Sequence, residues 1–255
     1  MNSEVNVELN GIVTEVGSSA SEGGEMGAPV RGFAVIRTVR FYDGGPERVP
    51  ALEDVRVNID GIPEAENMRP GDIVHVEGTL AGNSVKRGFI CSACGEEAVI
   101  PGIETYVVPK SISVTGHGPN SGDEVDVRML REALGGLFEH SNEVTVTNAV
   151  QSRAPMFDDR RRTCAYRVDA HTEDGDIPVY VRSFGDTAVS DNEHMRDRFD
   201  ENGNGTGAVL TITGALRCKP GHTKRLRCRK CGEVNESVDS IGTVEIVPSS
   251  VEYAD

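Results

Sequence analysis

The sequence has no tryptophan and few other aromatics, seven phenylalanines and five tyrosines in 255 residues. This scarcity weakens any function that depends on many stacked rings. There is no uninterrupted run of about 18 apolar residues, which argues against a membrane-spanning helix. The opening MNSEVNVELN lacks the basic and apolar regions of a signal peptide. A soluble, cytoplasmic chain is expected, with no membrane partner. Enzymatic signatures are also missing: no P-loop, no G-x-S-x-G, no H-E-x-x-H and no glycine fingerprint opening a βαβ unit. The six histidines are scattered, and only His222 falls near cysteines. A binding protein is expected rather than an enzyme.

What is present is a repeat. GDIVHVEGTL at 71–80 matches GAVLTITGAL at 207–216, and CSACGE at 91–96 matches CRKCGE at 228–233. YVVPKSISV from Tyr106 answers VEIVPSSVEY from Val244. The blocks recur in one order at offsets of 136, 137 and 139 residues, so one unit has been duplicated. The length suits two domains, each able to bury a core. The boundaries expected are 1–115, a connector at 116–142, and 143–255.

Net charge is −15, which argues against a uniformly basic nucleic-acid binder. The cations are clustered, however. Arg217, Lys219, Lys224, Arg225, Arg227, Arg229 and Lys230 fall in one hairpin arm. Only five residues are lysine (Lys86, Lys110, Lys219, Lys224, Lys230), against 21 arginines in a total of 26. An acidic, Lys-poor, Gly-rich chain resembles proteins of salt-loving archaea or their viruses; a GC-rich genome gives the same bias.

Alternation predicts strands over Val5–Val16, with a kink at Gly11, then over 32–40 and Arg48–Ile59. After a short helical or turn connection at 62–70, strands follow at Gly71–Leu80 and Thr105–Val114. HGPNSG at 117–122 reads as a linker. An amphipathic helix should follow from Asp123, with Val127, Leu130, Leu134 and Leu137 on its apolar face. In the second copy, strands are expected from Glu143, at Arg162–Ala170 and at Asp176–Phe184, with a short helix near Asn192–Phe199. Cys164 alternates with Tyr166 and Val168 and reads as core.

Five strands with a bent first one and a short helix between the third and fourth are the ingredients of an OB-fold barrel. The stretch AENMRPGDIVHVEGTL and the opening VNVELNGIVTEV resemble bacterial and phage single-stranded-DNA-binding proteins. The resemblance covers most of 4–115 and, more weakly, 143–253. Replication protein A subunits and the N-terminal region of minichromosome-maintenance helicases similarly combine OB barrels with zinc elements. The likeness implies an all-β chain of two tandem five-stranded OB-fold barrels, with single-stranded DNA as partner and replication, recombination or repair as setting. Replication or recombination proteins, and further copies of the chain, are the protein partners that such a setting implies. VEYAD at the C-terminus is unlike the acidic, apolar-ended tail by which many bacterial members recruit partners.

Four of the six cysteines form two C-x-x-C-G knuckles, a pattern that favours metal over disulfides in an intracellular chain. Zn²⁺ takes four such ligands in a tetrahedron. Cys91, Cys94, Cys228 and Cys231 could close one site shared by the two copies. Alternatively, Cys218, His222, Cys228 and Cys231 form a complete set within the second copy alone. Either zinc would be structural, because four protein ligands leave no open position.

A nucleic-acid groove would use cations and rings on which bases stack. The candidates are Arg56 with Lys86, Arg87 and Phe89 in the first copy. In the second they are Tyr180, Arg182, Arg217, Lys219, Lys224, Arg225, Arg227, Arg229 and Lys230. Alternative readings are an OB-fold protein–protein assembly module, or single-stranded RNA in place of DNA. A dithiol redox protein would need a βαβ context around its C-x-x-C, which the sequence lacks.

Overall fold

A computed structural model describes residues 2–19, 31–43, 48–118, 124–200, 205–219, 224–237 and 243–254. The first half contains β1 (Glu4–Ser19), β2 (Arg31–Asp43), β3 (Arg48–Asn58), β4 (Asp72–Ile90) and β5 (Glu97–His117). β1 pairs with both β2 and β4, β4 with β5, β5 with β3 and β3 with β2, so the five strands close a circuit. All pairings are antiparallel except β3–β5, which is parallel at Val57–Val107.

The second half repeats this circuit. β6 (Asn142–Gln151), β8 (Thr163–Thr172), β9 (Gly175–Phe184), β10 (Val209–Lys219) and β13 (Thr243–Ala254) take the places of β1 to β5. Its single parallel pairing, β9 with β13 at Tyr180–Glu245 and Val181–Ile246, includes the corresponding position, Val181–Ile246. A three-residue strand, β7 (Met156–Asp158), is added beside β8, and β11 (Lys224–Arg227) pairs with β12 (Val234–Ser237) in a separate ribbon.

The two circuits are joined through their first strands. Glu4–Leu9 of β1 lies antiparallel to Asn142–Thr147 of β6, giving one continuous sheet of 11 strands. Alternation dictates the core: Val5, Val7 and Leu9 point inward, as do Val144 and Val146. The buried apolar cluster runs unbroken from Ile36, Val57 and Val76 through this junction to Leu210, Ile212 and Ile246.

The repeated Gly-x-Leu and Val-Pro pieces of the sequence meet in space. Gly78 faces Pro109 across β4–β5, and Gly214 faces Pro248 across β10–β13, each at a shift of register. A Cβ on Gly78 would stand 2.4 Å from the Val108 carbonyl oxygen, and one on Gly214 would stand 2.3 Å from that of Val247. The glycines therefore allow close backbone approach, and the prolines occupy bulges where no ladder donor is needed. Leu80 and Leu216, two residues on, are buried. Gly11 also permits close approach, to the Arg37 carbonyl, but the irregularity in β1 falls at Val13–Glu15 rather than at Gly11 as the sequence suggested.

Four further expectations are revised. The fourth and fifth strands run well past Leu80 and begin well before Thr105, forming a long β4–β5 arm. The connector helix α1 (Val127–Leu134) starts at an Asp126 cap whose side chain accepts from the Met129 N–H. It stops at Gly135 (φ 54°), and the chain continues as a 3-10 turn to His140. This break moves Leu137 off the apolar face, to 52% exposure, and puts Phe138 into a small second core with Ile12, Val39, Leu130 and Leu134. The helix of the second copy, α2 (Gly185–Met195), begins seven residues earlier than the sequence suggested. No helix among the described residues is long and apolar enough to cross a membrane.

Candidate functional site

Each circuit sends out an arm that ends in a knuckle: β4–β5 carries Cys91 and Cys94, and β11–β12 carries Cys228 and Cys231. The two turns are built alike. The Gly95 N–H donates to the Cys91 carbonyl at 2.9 Å, and Gly232 donates to Cys228 at 3.0 Å. The Cys91 and Cys228 N–H groups close the turns onto Glu96 and Glu233. Gly95 (φ 69°) and Gly232 (φ 78°) adopt the left-handed conformation that the turn requires, hence the glycine after each pair.

The four sulfurs of these knuckles all lie within 4.8 Å of one another. Across the arms, Cys91 is 3.6 Å from Cys231, and Cys94 is 3.7 Å from Cys228. A tetrahedron with Zn–S bonds of about 2.3 Å has S···S edges of about 3.8 Å. The geometry is therefore compatible with a structural metal held jointly by both arms. Cys91 and Cys228 are buried, whereas Cys231 is exposed. Burial raises the Cys91 thiol, but the Ala93 and Cys94 N–H groups and the Asn235 amide outweigh it and bring it down to about 6. The Cys231 and Lys230 N–H groups likewise lower Cys228. Thiolate character is favoured at the first cysteine of each knuckle; the second, Cys94 or Cys231, is shifted upward, the Glu96 or Glu233 N–H being outweighed by burial and the neighbouring sulfurs.

Asn235 locks the arms together. Its Oδ1 accepts from the Ser92 N–H at 2.9 Å and the Ser92 hydroxyl at 2.7 Å, and its Nδ2 donates to Cys91 Sγ at 3.5 Å. Lys230 reaches Glu96 at 3.0 Å. At the base of the arms, Thr105 exchanges hydrogen bonds with the Val244 backbone. Sequence reading missed Asn235, Ser92 and Thr105, because they acquire a role only when one arm meets the other.

Cys218 is not part of the cluster. Its side chain lies against β3, with its N–H on Glu53 Oε2 at 3.3 Å, and burial pushes the thiol up to about 12. His222 lies outside the described residues. Cys164 is fully buried, as core.

The cationic candidates divide into groups. Arg182 and Arg217 both engage Glu245, which is buried, at 3.1 and 3.4 Å. Arg56 lies over the Phe33 ring at 4.4 Å. Tyr180 is half-buried, beside Arg167 on β8. Arg227, Arg229 and Lys230 are exposed at the tip of the second arm. Lys86, Arg87 and Phe89 are on β4, Lys219 on β10, and Lys224 and Arg225 on β11, with side chains outside the described part. A further pair unseen in the sequence is Arg48 over Phe41 at 4.8 Å; strand register was needed to find it.

The fold is similar over its whole length to single-stranded DNA binding proteins. The wild-type protein of Thermus aquaticus aligns with 100% of this chain and 95% of its own, at a TM-score of 0.52 and 15% identity. A deletion variant of the Thermus protein aligns with 99% and 95%, at 0.51 and 14%. No family model and no curated protein matches the sequence. At this identity the likeness establishes the fold, an all-β OB-type architecture.

Proposed function

We propose that this chain is a tandem OB-fold protein, with domains at 1–115 and 143–255 joined by the 116–142 connector, that binds single-stranded DNA without strong sequence preference. The observation that carries the reading is the full-length fold shared with a single-stranded DNA binding protein, together with two converging arms, one of them strongly cationic. The segment from Arg217 to Ser237 holds seven cations and two carboxylates, Glu233 and Glu236; of the cations, Arg217 engages Glu245 and Lys230 engages Glu96. Such a concentration in a chain of net charge −15 calls for an anionic ligand.

In this reading Lys224, Arg225, Arg227 and Arg229 contact phosphates, with Lys219, Lys86 and Arg87 along the arms. Phe33 with Arg56, Phe89 and Tyr180 offer surfaces for bases. Arg182 and Arg217 serve chiefly to neutralise Glu245. The metal is Zn²⁺, held by Cys91, Cys94, Cys228 and Cys231 and closed to catalysis, so the chain is not an enzyme. A cytoplasmic, reducing compartment keeps these thiols available, and replication, recombination or repair is the setting. An assembly module is the rival reading, supported by the engagement of Arg182 and Arg217 within the protein. Anisotropy titration of a labelled oligo-dT against Lys224→Ala/Arg225→Ala/Arg227→Ala separates the two: the variant loses salt-sensitive binding if the arm holds DNA.

A further inference from the structure

We propose that the joined tips of the two arms form an apolar wedge that engages the junction between duplex and single-stranded nucleic acid. This rests on the nucleic-acid reading above and extends it to a substrate class that plain strand coating does not require.

Two exposed residues at the tip lack an ordinary reason to be apolar. Ile90, immediately before the first knuckle, is 68% exposed, and Val234, immediately after the second, is 47% exposed. They occupy different positions of the repeat. Ile90 faces Glu97 across the first arm, whereas Val234 faces Arg227 across the second. Each arm thus keeps one exposed apolar residue at the neck of its knuckle, paired with one charge.

The contacts between arms hold the two necks side by side. The Asn235 amide, next to Val234, donates to Cys91 Sγ, and Cys91 follows Ile90. The base beneath them is well braced, by the four-sulfur cluster, the Asn235–Ser92 bonds and the Lys230–Glu96 pair. Rigid exposed aliphatics beside cations are what duplex-kinking proteins insert between base steps, offsetting the unstacking by new contact. The terminal pair of a duplex is the easiest step to open, because it stacks on one side only.

Charge decides the class of partner. Arg227, opposite Val234, and Arg229 are exposed, and Lys224 and Arg225 precede Arg227 on β11. The carboxylates of the tip are Glu96, Glu97 and Glu233, of which Glu96 is paired with Lys230. A cationic strand leading to an apolar tip suits a phosphate backbone leading to an exposed base pair.

The test uses the full, metal-loaded chain with two probes: oligo-dT of about 30 nucleotides, and the same strand attached to a duplex whose terminal pair contains 2-aminopurine. The fork should bind about tenfold tighter than the strand, a change of the size expected for burying apolar side chains. Its 2-aminopurine fluorescence should rise on binding. Ile90→Ser/Val234→Ser should lose both effects, while metal content and oligo-dT affinity stay within about twofold. Equal affinity for fork and strand, or a fork preference that survives the double substitution, overturns the wedge. If the unaltered protein fails to bind oligo-dT, the underlying nucleic-acid reading falls and the wedge with it. A change in oligomeric state of the variant by light scattering, with fork and strand bound equally by the parent, overturns the wedge and assigns the tip to a protein interface.

Discussion

Gly78→Ala and Gly214→Ala test the account of the duplicated Gly-x-Leu motif. A methyl group at either position would stand 2.4 or 2.3 Å from a carbonyl oxygen of the neighbouring strand. Comfortable contacts lie near about 3.5 Å, so roughly 1 Å of displacement is required. The obstructing atoms are backbone, on Val108 and Val247, and cannot rotate away. Such overpacking costs about 1–3 kcal/mol. In a chain of this length each kcal/mol lowers the melting temperature by roughly 2–4 °C. Each variant should therefore melt several degrees below the parent in differential scanning calorimetry. Gly136→Ala is the control, since nothing lies within 4 Å of its added Cβ, and it should be neutral or slightly stabilising. If Gly78→Ala and Gly214→Ala melt with the parent, the close-approach explanation is wrong.

Two other outcomes are expected. Cys231→Ser removes the exposed cysteine of the four-sulfur cluster and should abolish stoichiometric metal, opening both arms to limited proteolysis while the β1–β6 sheet stays protected in hydrogen exchange; equal protease resistance with and without metal contradicts a shared clamp. Asp191→Asn should flatten the pH dependence of stability. Burial raises the Asp191 carboxyl above its ordinary value, against opposing contacts from Ser183, Tyr253 and Tyr166. The stability that it contributes is fully present below the unfolded value and is lost as pH rises through the folded one. The variant should therefore gain stability relative to the parent from mildly acidic to neutral pH; a parallel pH profile in urea melts would contradict this.

Much of the fold was legible because each strand alternates and each motif occurs twice. Gly78 and Gly214, Pro109 and Pro248, and the two knuckles all marked positions where geometry leaves few choices. The shared cysteine set was legible only as one of two alternatives, since spacing cannot say which arm meets which. Burial of Cys218 against β3, with its N–H on Glu53, is long-range information that no local pattern carries. The same holds for Arg182 and Arg217: the sequence offered them as nucleic-acid-binding cations, but buried Glu245 on β13 is what they meet. Phe138 was overlooked because an ideal helical stripe was continued through Gly135, where the left-handed backbone ends the helix.

Binding of single strands is tested most directly by fluorescence anisotropy of labelled oligo-dT across a range of salt, with duplex as competitor and zinc assayed on the same sample. Saturable binding that prefers the single strand, weakens steeply with salt, and accompanies one zinc ion per chain is the expected result. Absence of binding at low salt, in a protein that holds its zinc, would contradict it and leave the joined arms as a scaffold for protein partners.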